Sequence, residues 1–164
     1  MKSKILYCVA GCALLLSACV RMPDIPQAPS LDLSIPVAVE EEVMWNAADH
    51  AGKPVLIAVM ATWCPWCKRS LPALDAATET FGDQVEVVGV FIDDDLATVK
   101  KVQKDHKIKS KILYQGHQAA EELGAHAFPH IMLFDKKHKL VRTWSGYSEH
   151  LADEYKAEIN KLLK

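Results

Sequence analysis

The sequence has no excess of basic residues. Its 164 residues include 19 Lys and Arg against 21 Asp and Glu, which gives a formal net charge of −2 at pH 7. Nucleic-acid binding depends on Lys and Arg that neutralise phosphates, so the composition gives no support for a nucleic-acid partner. The chain also lacks internal repeats and low-complexity segments. One globular domain therefore accounts for the body of the chain.

The most apolar stretch is too short to span a membrane. It reads "ILYCVAGCALLL", about twelve residues, which is the length of the apolar region of a secretory signal. Lys2 and Lys4 precede it and supply the positive charge that such a signal carries at its start. We therefore expect the protein to be exported and residues 1–18 to form a signal peptide.

The signal ends in "LSAC", residues 16–19, which resembles the lipobox of bacterial lipoproteins. The resemblance implies that Cys19 is diacylated, becomes the new N-terminus and attaches the protein to a membrane of the bacterial cell envelope. Val20 is not the aspartate associated with inner-membrane retention, which favours the periplasmic face of the outer membrane. An ordinary secretory signal or an uncleaved anchor is the alternative.

Cysteine is scarce once the signal is set aside. Of the five cysteines, Cys8 and Cys12 lie in the predicted signal and Cys19 would carry lipid. Only Cys64 and Cys67 remain as thiols. Because an exported compartment permits disulfides, these two can pair with each other or with a cysteine of another protein.

The segment that follows the predicted lipid site has no glycine. Residues 21–39 hold four of the eight prolines, a composition typical of an extended, semi-rigid linker. We therefore expect residues 19–39 to be a tether and residues 40–164 to form the domain. The alternating Leu31, Leu33 and Ile35 leave a second interpretation, in which this arm pairs with the domain as an edge strand.

From residue 40 onward, strand and helix patterns alternate. The continuous apolar run 55–61 predicts a central strand covered on both faces, and Pro65 suits the first turn of the helix that follows it. A second buried strand is expected at 85–93, a helix or helical turn at 43–54, an antiparallel strand pair at 128–135 and 140–147, and an amphipathic helix at the C-terminus. The pattern is α/β with a mixed central sheet flanked by helices.

Three features together resemble the thioredoxin superfamily: a strand ending in "TWC", a Cys-x-x-Cys at a helix start, and a proline directly before a later strand. An extra strand–helix insertion between about residues 85 and 110 resembles the TlpA-like branch of that superfamily. The resemblance implies a thioredoxin-like fold and a thiol–disulfide oxidoreductase that needs no cofactor. It also implies client proteins with thiols or disulfides and a membrane redox partner.

The two cysteines have distinct predicted roles. A thiolate is the nucleophile of disulfide exchange, and a helix N-terminus favours negative charge, so Cys64 is expected to attack. Cys67, one turn further into the helix, is expected to resolve the mixed disulfide.

Five further residues are candidates for binding substrate. Pro129 matches the family's cis-proline, whose loop faces the cysteine pair. The candidates are Trp63, Pro65, Trp66, Phe128 and Pro129.

The expected buried acid is missing. Thioredoxins have an aspartate six residues before the first cysteine, where this chain has Ala58, and many TlpA-like proteins have a glutamate three after the second, where it has Ser70. Asp75 would lie about 16 Å from Cys64 along a straight helix. Water or another side chain such as His130 must then deprotonate Cys67.

Three functions other than thiol–disulfide exchange are conceivable for a sequence with one Cys-x-x-Cys. A metal site is disfavoured because the Cys-x-x-Cys gives two ligands and the sequence has no second such pair. Pro129 breaks any helix that would align His126 with His130. A peroxidase of the peroxiredoxin group would place a threonine three residues before its cysteine, whereas Thr62 is two before Cys64. A structural or binding lipoprotein with an inert disulfide stays open.

Overall fold

The computed structural model of the protein describes residues 31–40, 42–93 and 95–164. The predicted signal peptide, the lipidation site Cys19 and the first part of the predicted tether lie outside these residues. Within them, no helix combines the length and apolar character needed to cross a membrane.

Strands and helices alternate along the described chain. The strands are β1 (Ser34–Pro36), β2 (Met44–Asn46), β3 (Val55–Met60), β4 (Glu86–Phe91), β5 (Lys111–Leu113), β6 (His130–Phe134) and β7 (Leu140–Ser145). The helices are α1 (Pro65–Phe81), α2 (Leu96–Asp105), α3 (His117–Glu122) and α4 (Leu151–Leu163).

The central sheet has the strand order β5-β4-β3-β6-β7. Strands β4 and β5 run parallel to β3, β6 runs antiparallel to β3, and β7 runs antiparallel to β6. The predicted mixed sheet is confirmed. The expected extra strand and helix are β4 and α2.

Strand β3 is buried on both faces, as its uninterrupted apolar sequence predicts. Alternate side chains point to opposite sides. Leu56, Ala58 and Met60 face one hydrophobic cluster with the buried side chains of α1, α2 and α4. Val55, Ile57 and Val59 face the other, with the N-terminal arm and α3.

The N-terminal arm packs on the domain over its described length. Its alternate residues Leu31, Leu33, Ile35 and Val37 are each 3–7% exposed and join the second cluster. The arm forms β1, which pairs with β2, and continues as a bridge from Val37 to Leu113 at the sheet edge.

The structure therefore corrects the predicted tether over residues 31–38. Burial of four apolar side chains against an open sheet face outweighs the proline-rich composition that favoured an extended linker. The edge-strand interpretation describes this part of the chain. Residues 19–30 lie outside the described residues, so a tether there stays a prediction.

The expected helical turn before β3 is shorter than predicted. Residues 44–46 are a strand, and only Ala47–His50 form a 3-10 turn. Contacts of Trp45 hold this segment as a strand. Its side chain is buried, stacks on His50 at 5.3 Å and donates its indole N–H to Glu86 Oε1 at 2.9 Å. The hydrogen bond to Glu86 joins β2 to β4.

We predict that Ile35→Ala lowers the free energy of unfolding by about 2–4 kcal/mol, because it removes a buried side chain from the second cluster. Asp32→Ala, at an exposed position of the same arm, should change it by less than about 0.5 kcal/mol. Urea unfolding of both variants measures the difference. Equal and negligible effects would mean that the arm does not pack on the domain in solution.

Candidate active site

The Cys-x-x-Cys lies where β3 ends and α1 begins. The turn between them is closed by the N–H of Cys64, which donates to the carbonyl of Ala61 at 3.1 Å. Cys64 is the N-cap of α1 and Pro65 is its first residue. Proline suits this position because its missing N–H would have no partner inside the helix.

The sulfur of Cys64 sits at the N-terminus of α1. It accepts a hydrogen bond from the backbone N–H of Cys67 at 3.2 Å and lies 3.6 Å from the carbonyl oxygen of Phe128. The side chain is buried, with 4% of the residue exposed. A negative charge on this sulfur would meet an N–H donor and the positive end of the helix dipole. The geometry suits Cys64 as the attacking thiol.

Cys67 is more deeply buried, at 1% exposed. Burial is the main cause that raises the pKa of its thiol far above the ordinary value, and the hydrogen bond with Cys64 adds to the effect. Negative charge on Cys64 or on Asp93 raises this pKa further. Cys67 therefore stays a neutral thiol through the physiological pH range. Both cysteines are free thiols in this structure.

The loop before β6 faces the cysteine pair. The peptide bond between Phe128 and Pro129 is cis, as the family resemblance implies. The carbonyl of Phe128 reaches Cys64 across 64 positions of sequence. Pro129 is buried and Phe128 is half-buried.

Aromatic side chains lie on two sides of Cys64. Trp63 is 68% exposed and meets Phe128 edge to face, with 6.2 Å between the ring centroids. Trp66 is 51% exposed and stacks on Tyr147 at 5.9 Å. The guanidinium of Arg69 lies 4.9 Å from the centre of the Trp66 ring. Tyr147 was not anticipated from the sequence.

The positions where related proteins have an acid do not supply one. Ala58 is buried within β3, and Ser70 donates its hydroxyl to the carbonyl of Cys67 at 2.7 Å. Asp75 accepts hydrogen bonds from the N–H and hydroxyl of Ser110 at 2.9 and 2.7 Å, so it anchors the approach to β5.

His130 is an unsuitable partner for Cys67. Burial is the main cause that lowers the pKa of its ring, and the charge of His126 lowers it further. Among the described residues, no hydrogen bond or ion pair reaches the His130 ring. It is a half-buried histidine at the start of β6.

Asp93 belongs to the site and was missed. Its carboxylate accepts the backbone N–H of Thr62 at 2.8 Å and the Thr62 hydroxyl at 2.6 Å. Asp95, two residues further on, has a different role, because it caps α2 by accepting the N–H of Ala97 at 3.1 Å. A usable signal was the strand order, because the carboxyl ends of adjacent parallel strands meet at one edge of a sheet.

The family model that matches this sequence is that of the AhpC/TSA family, and the match runs over residues 26–143. The matched segment spans the arm, the Cys-x-x-Cys, the cis-proline loop and most of β7. The chain belongs to the AhpC/TSA family.

Proteins similar in sequence to this chain include a thiol:disulfide interchange protein and thioredoxins. The chain is 30% identical over 119 residues to the thiol:disulfide interchange protein DsbE of Pseudomonas aeruginosa, covering 69% of this chain and 63% of that one. It is 37% identical over 71 residues to a thioredoxin of Streptomyces clavuligerus, covering 43% and 64%. The chain thus spans less than two thirds of the length of each of these relatives.

Solved structures share the thioredoxin-like fold. A thiol:disulfide interchange protein of Chlorobium tepidum superposes with a TM-score of 0.71 at 17% identity, covering 87% of this chain and 100% of that one. The exposed lipoprotein thioredoxin Etrx1 of Streptococcus pneumoniae superposes with a TM-score of 0.69 at 25% identity, covering 80% and 99%.

The surroundings of Cys64 and Cys67 bear on whether they could bind a metal ion. Within the part of the chain that the structure describes, no group of three or more His, Cys, Asp or Glu side chains is placed to hold a metal ion. Cys64 and Cys67 would supply two thiolates where a structural zinc site has four ligands.

We predict that iodoacetamide near neutral pH modifies Cys64 of the reduced protein about tenfold or more faster than Cys67, because the raised pKa of Cys67 leaves almost no thiolate. Peptide mass spectrometry of the modified protein measures both rates. Raising the pH to 9 should leave Cys67 unmodified in the folded protein, whereas denaturant should expose it.

Two variants serve as controls for that assignment. Cys67→Ser should keep the fast-reacting thiol and Cys64→Ser should lose it. Comparable rates at the two cysteines of the folded protein would contradict the assignment.

Proposed function

We propose that the protein is a thiol–disulfide oxidoreductase that exchanges a Cys64–Cys67 disulfide or dithiol with client proteins. The observation that carries this proposal is the contrast between the two sulfurs. Cys64 Sγ accepts an N–H at the start of α1, whereas Cys67 is buried one turn away with a raised pKa. The similarity to DsbE of Pseudomonas aeruginosa supports it.

The reaction with a client disulfide follows from this arrangement. The thiolate of Cys64 attacks one client sulfur, a mixed disulfide forms, and the other client sulfur leaves as a thiolate. Cys67 then gives up its proton, which the departing thiolate can accept, and attacks Cys64. The bond from Cys64 to the client breaks and the Cys64–Cys67 disulfide forms. The second client sulfur leaves as a thiolate and takes up from water the proton that Cys64 had released, so the client keeps two thiols. The reverse sequence oxidises a client dithiol, with the same two electrons and two protons.

The client segment is proposed to lie across the exposed aromatic surface around Cys64. The residues proposed to bind it are Trp63, Pro65, Trp66, Phe128 and Pro129. Tyr147, which stacks on Trp66, and Arg69, whose guanidinium lies over the Trp66 ring, extend this surface. Large, rigid aromatic side chains are the groups that most often anchor protein interfaces.

A peroxidase role has no support from the site geometry. The hydroxyl of Thr62 donates to Asp93 at 2.6 Å and is thereby engaged away from Cys64. A purely structural disulfide is also disfavoured, since closing so short a loop stabilises a protein little through chain entropy.

We predict that Cys67→Ser accumulates mixed disulfides with client proteins, because attack by Cys64 proceeds while resolution does not. Cys64→Ser should accumulate none. Non-reducing electrophoresis followed by mass spectrometry of the adducts measures both outcomes and names the clients. Absence of adducts in both variants would favour the alternative, a binding or structural protein with an inert disulfide.

The protein is further proposed to act in the bacterial cell envelope, attached by lipid on Cys19 to the periplasmic face of the outer membrane. The charged and apolar pattern of residues 1–19 supports this, and Etrx1 is itself an exposed lipoprotein. Residues 19–30 would link the lipid to the arm, over about 35–40 Å in extended polyproline geometry. A membrane redox partner would restore the cysteine pair after each exchange.

We predict that cells expressing the protein incorporate a palmitate analogue into it and that Cys19→Ser abolishes this label. Cys64→Ser is the matched control and should keep the label, because its sulfur lies inside the folded domain. Fluorescence of the labelled protein after electrophoresis measures incorporation. Equal labelling of wild type and Cys19→Ser would refute lipidation at this residue.

A further inference from the structure

A groove lies beside the exposed stack of Trp66 and Tyr147. It runs between α1 and the turn that joins β7 to α4, residues 146–150, and its volume is about 180 Å³. A space of this size accommodates one large side chain. The residues that line the groove include Arg69, Pro72, Ala73, Tyr147, Ser148 and Ala152.

The inner surface of the groove is apolar. Ala73 and Ala152 are half-buried and face each other from α1 and α4, so a side chain lying against them desolvates no charge. Glu149 also borders the groove, but its carboxylate is largely exposed to solvent. The guanidinium of Arg69 lies over the ring of Trp66. An apolar side chain therefore suits this space.

The turn that forms one wall of the groove is attached to the active site at two points. The N–H of Gly146 donates to the carbonyl of Pro129 at 2.8 Å, which joins the turn to the cis-proline loop. Gly146 has a φ of 81°, a conformation that favours glycine. Tyr147, the next residue, stacks on Trp66 of the Cys-x-x-Cys. The groove is therefore held in a fixed place relative to Cys64.

Exposed aromatic side chains are concentrated at this end of the molecule. Three of the exposed large hydrophobic residues of the described chain are aromatic, namely Trp63, Trp66 and Tyr147. Trp63 and Trp66 belong to the motif around Cys64, and Tyr147 is shared by the aromatic stack and the groove. Contiguous exposed apolar surface of this kind marks contact with a partner. The groove continues the surface on which the client is proposed to lie.

A second groove along α1 has a different character. It lies towards the segment that follows α2 and has a volume of about 290 Å³. Its lining includes the charged or titratable residues Lys68, Asp75, Glu79, His106 and Lys109. Lys109 forms an ion pair with Glu79, so an apolar side chain placed there would remove water from charged groups at a cost in free energy. Of the two grooves, the one beside Tyr147 is the better site for an apolar side chain.

The position of the groove sets which residue of a client can reach it. Arg69 and Ala73 follow Cys64 by five and nine positions on α1, which corresponds to about 7–14 Å along the helix axis. An extended polypeptide advances about 3.3 Å per residue. The side chain that reaches the groove is therefore two to four residues from the client cysteine that bonds to Cys64.

We propose that this groove is a specificity subsite that binds one large apolar side chain of the client, two to four residues from the client's reacting cysteine, and that Tyr147 determines this preference. The inference rests on the proposed oxidoreductase function, because it concerns the client of the same two cysteines. Burial of the apolar side chain against Tyr147 and the two alanines provides the driving force. Clients with leucine or phenylalanine at that distance from their cysteine should react fastest.

The test uses synthetic peptides whose single cysteine is joined by a disulfide to thionitrobenzoate. Each peptide has a background of glycine and serine, with either leucine or serine at the second, third or fourth residue on one side of the cysteine. The Cys64 thiolate of the reduced protein attacks the peptide sulfur and thionitrobenzoate, the better leaving group, departs as a coloured thiolate. Cys67 then attacks Cys64, and its proton goes to the departing peptide thiolate. The protein ends as the Cys64–Cys67 disulfide, and absorbance of the thionitrobenzoate measures the rate.

Wild type should react about five- to thirtyfold faster with the best leucine peptide than with the matching serine peptide, because the leucine side chain leaves water. Tyr147→Ala should reduce this ratio to less than about twofold, whereas Tyr147→Phe keeps an aromatic ring against Trp66 and should retain it. Ala152→Leu fills the groove and should also abolish the ratio. Ala76→Leu is the matched control, since it makes the same change at a half-buried helical alanine of the charged groove and should keep the wild-type ratio.

Three results would overturn the subsite. Equal rates of wild type with leucine and serine peptides at every position would show that the groove selects no apolar side chain. A preference that survives Tyr147→Ala and Ala152→Leu would place the apolar contact elsewhere. Absence of any preference, together with dimers of wild type that Ala152→Leu prevents in analytical ultracentrifugation, would make the groove an interface between copies. Failure of wild type to release thionitrobenzoate from any peptide would instead contradict the proposed function.

Discussion

The site depends on one constraint, the burial of β3 on both of its faces. Because every side chain of β3 is covered by one hydrophobic cluster or the other, the strand cannot slide or rotate without exposing apolar surface or burying the polar turn. Its carboxyl end is therefore a fixed point. Three parts of the site meet there: the start of α1, the cis-proline loop before β6, and Asp93 after β4.

The two cysteines acquire different chemistry from a separation of one helical turn. At the N-cap, Cys64 has an N–H donor and the positive end of the helix before it. Cys67 is enclosed by the core that α1 forms with the sheet, and its raised pKa follows mainly from that enclosure. Two sulfurs with different surroundings thus arise from the same three-residue spacing, because one lies at the helix N-terminus and the other lies inside the core.

The N-terminal arm shows how composition and pattern can disagree. Proline content indicated a linker, but the alternation of apolar residues decided the outcome over residues 31–38. The sheet face above Val55, Ile57 and Val59 needed a cover, and α3 alone is too short to provide it. The arm and Trp45 complete that cover, and the bond from Trp45 to Glu86 ties it to β4.

The family resemblance implied that Pro129 approaches the Cys-x-x-Cys. The sequence pattern by itself determined the α/β class, the mixed sheet and the strand–turn–helix position of the Cys-x-x-Cys. These follow from apolar periodicity and from a local motif whose meaning does not depend on distant residues. Only the tertiary structure decided that Asp93 bonds to Thr62 beside the Cys-x-x-Cys, that Tyr147 stacks on Trp66, and that the arm covers the sheet. Each of these is a contact between residues far apart in sequence, and its partner is fixed by strand order and packing, which no local pattern records.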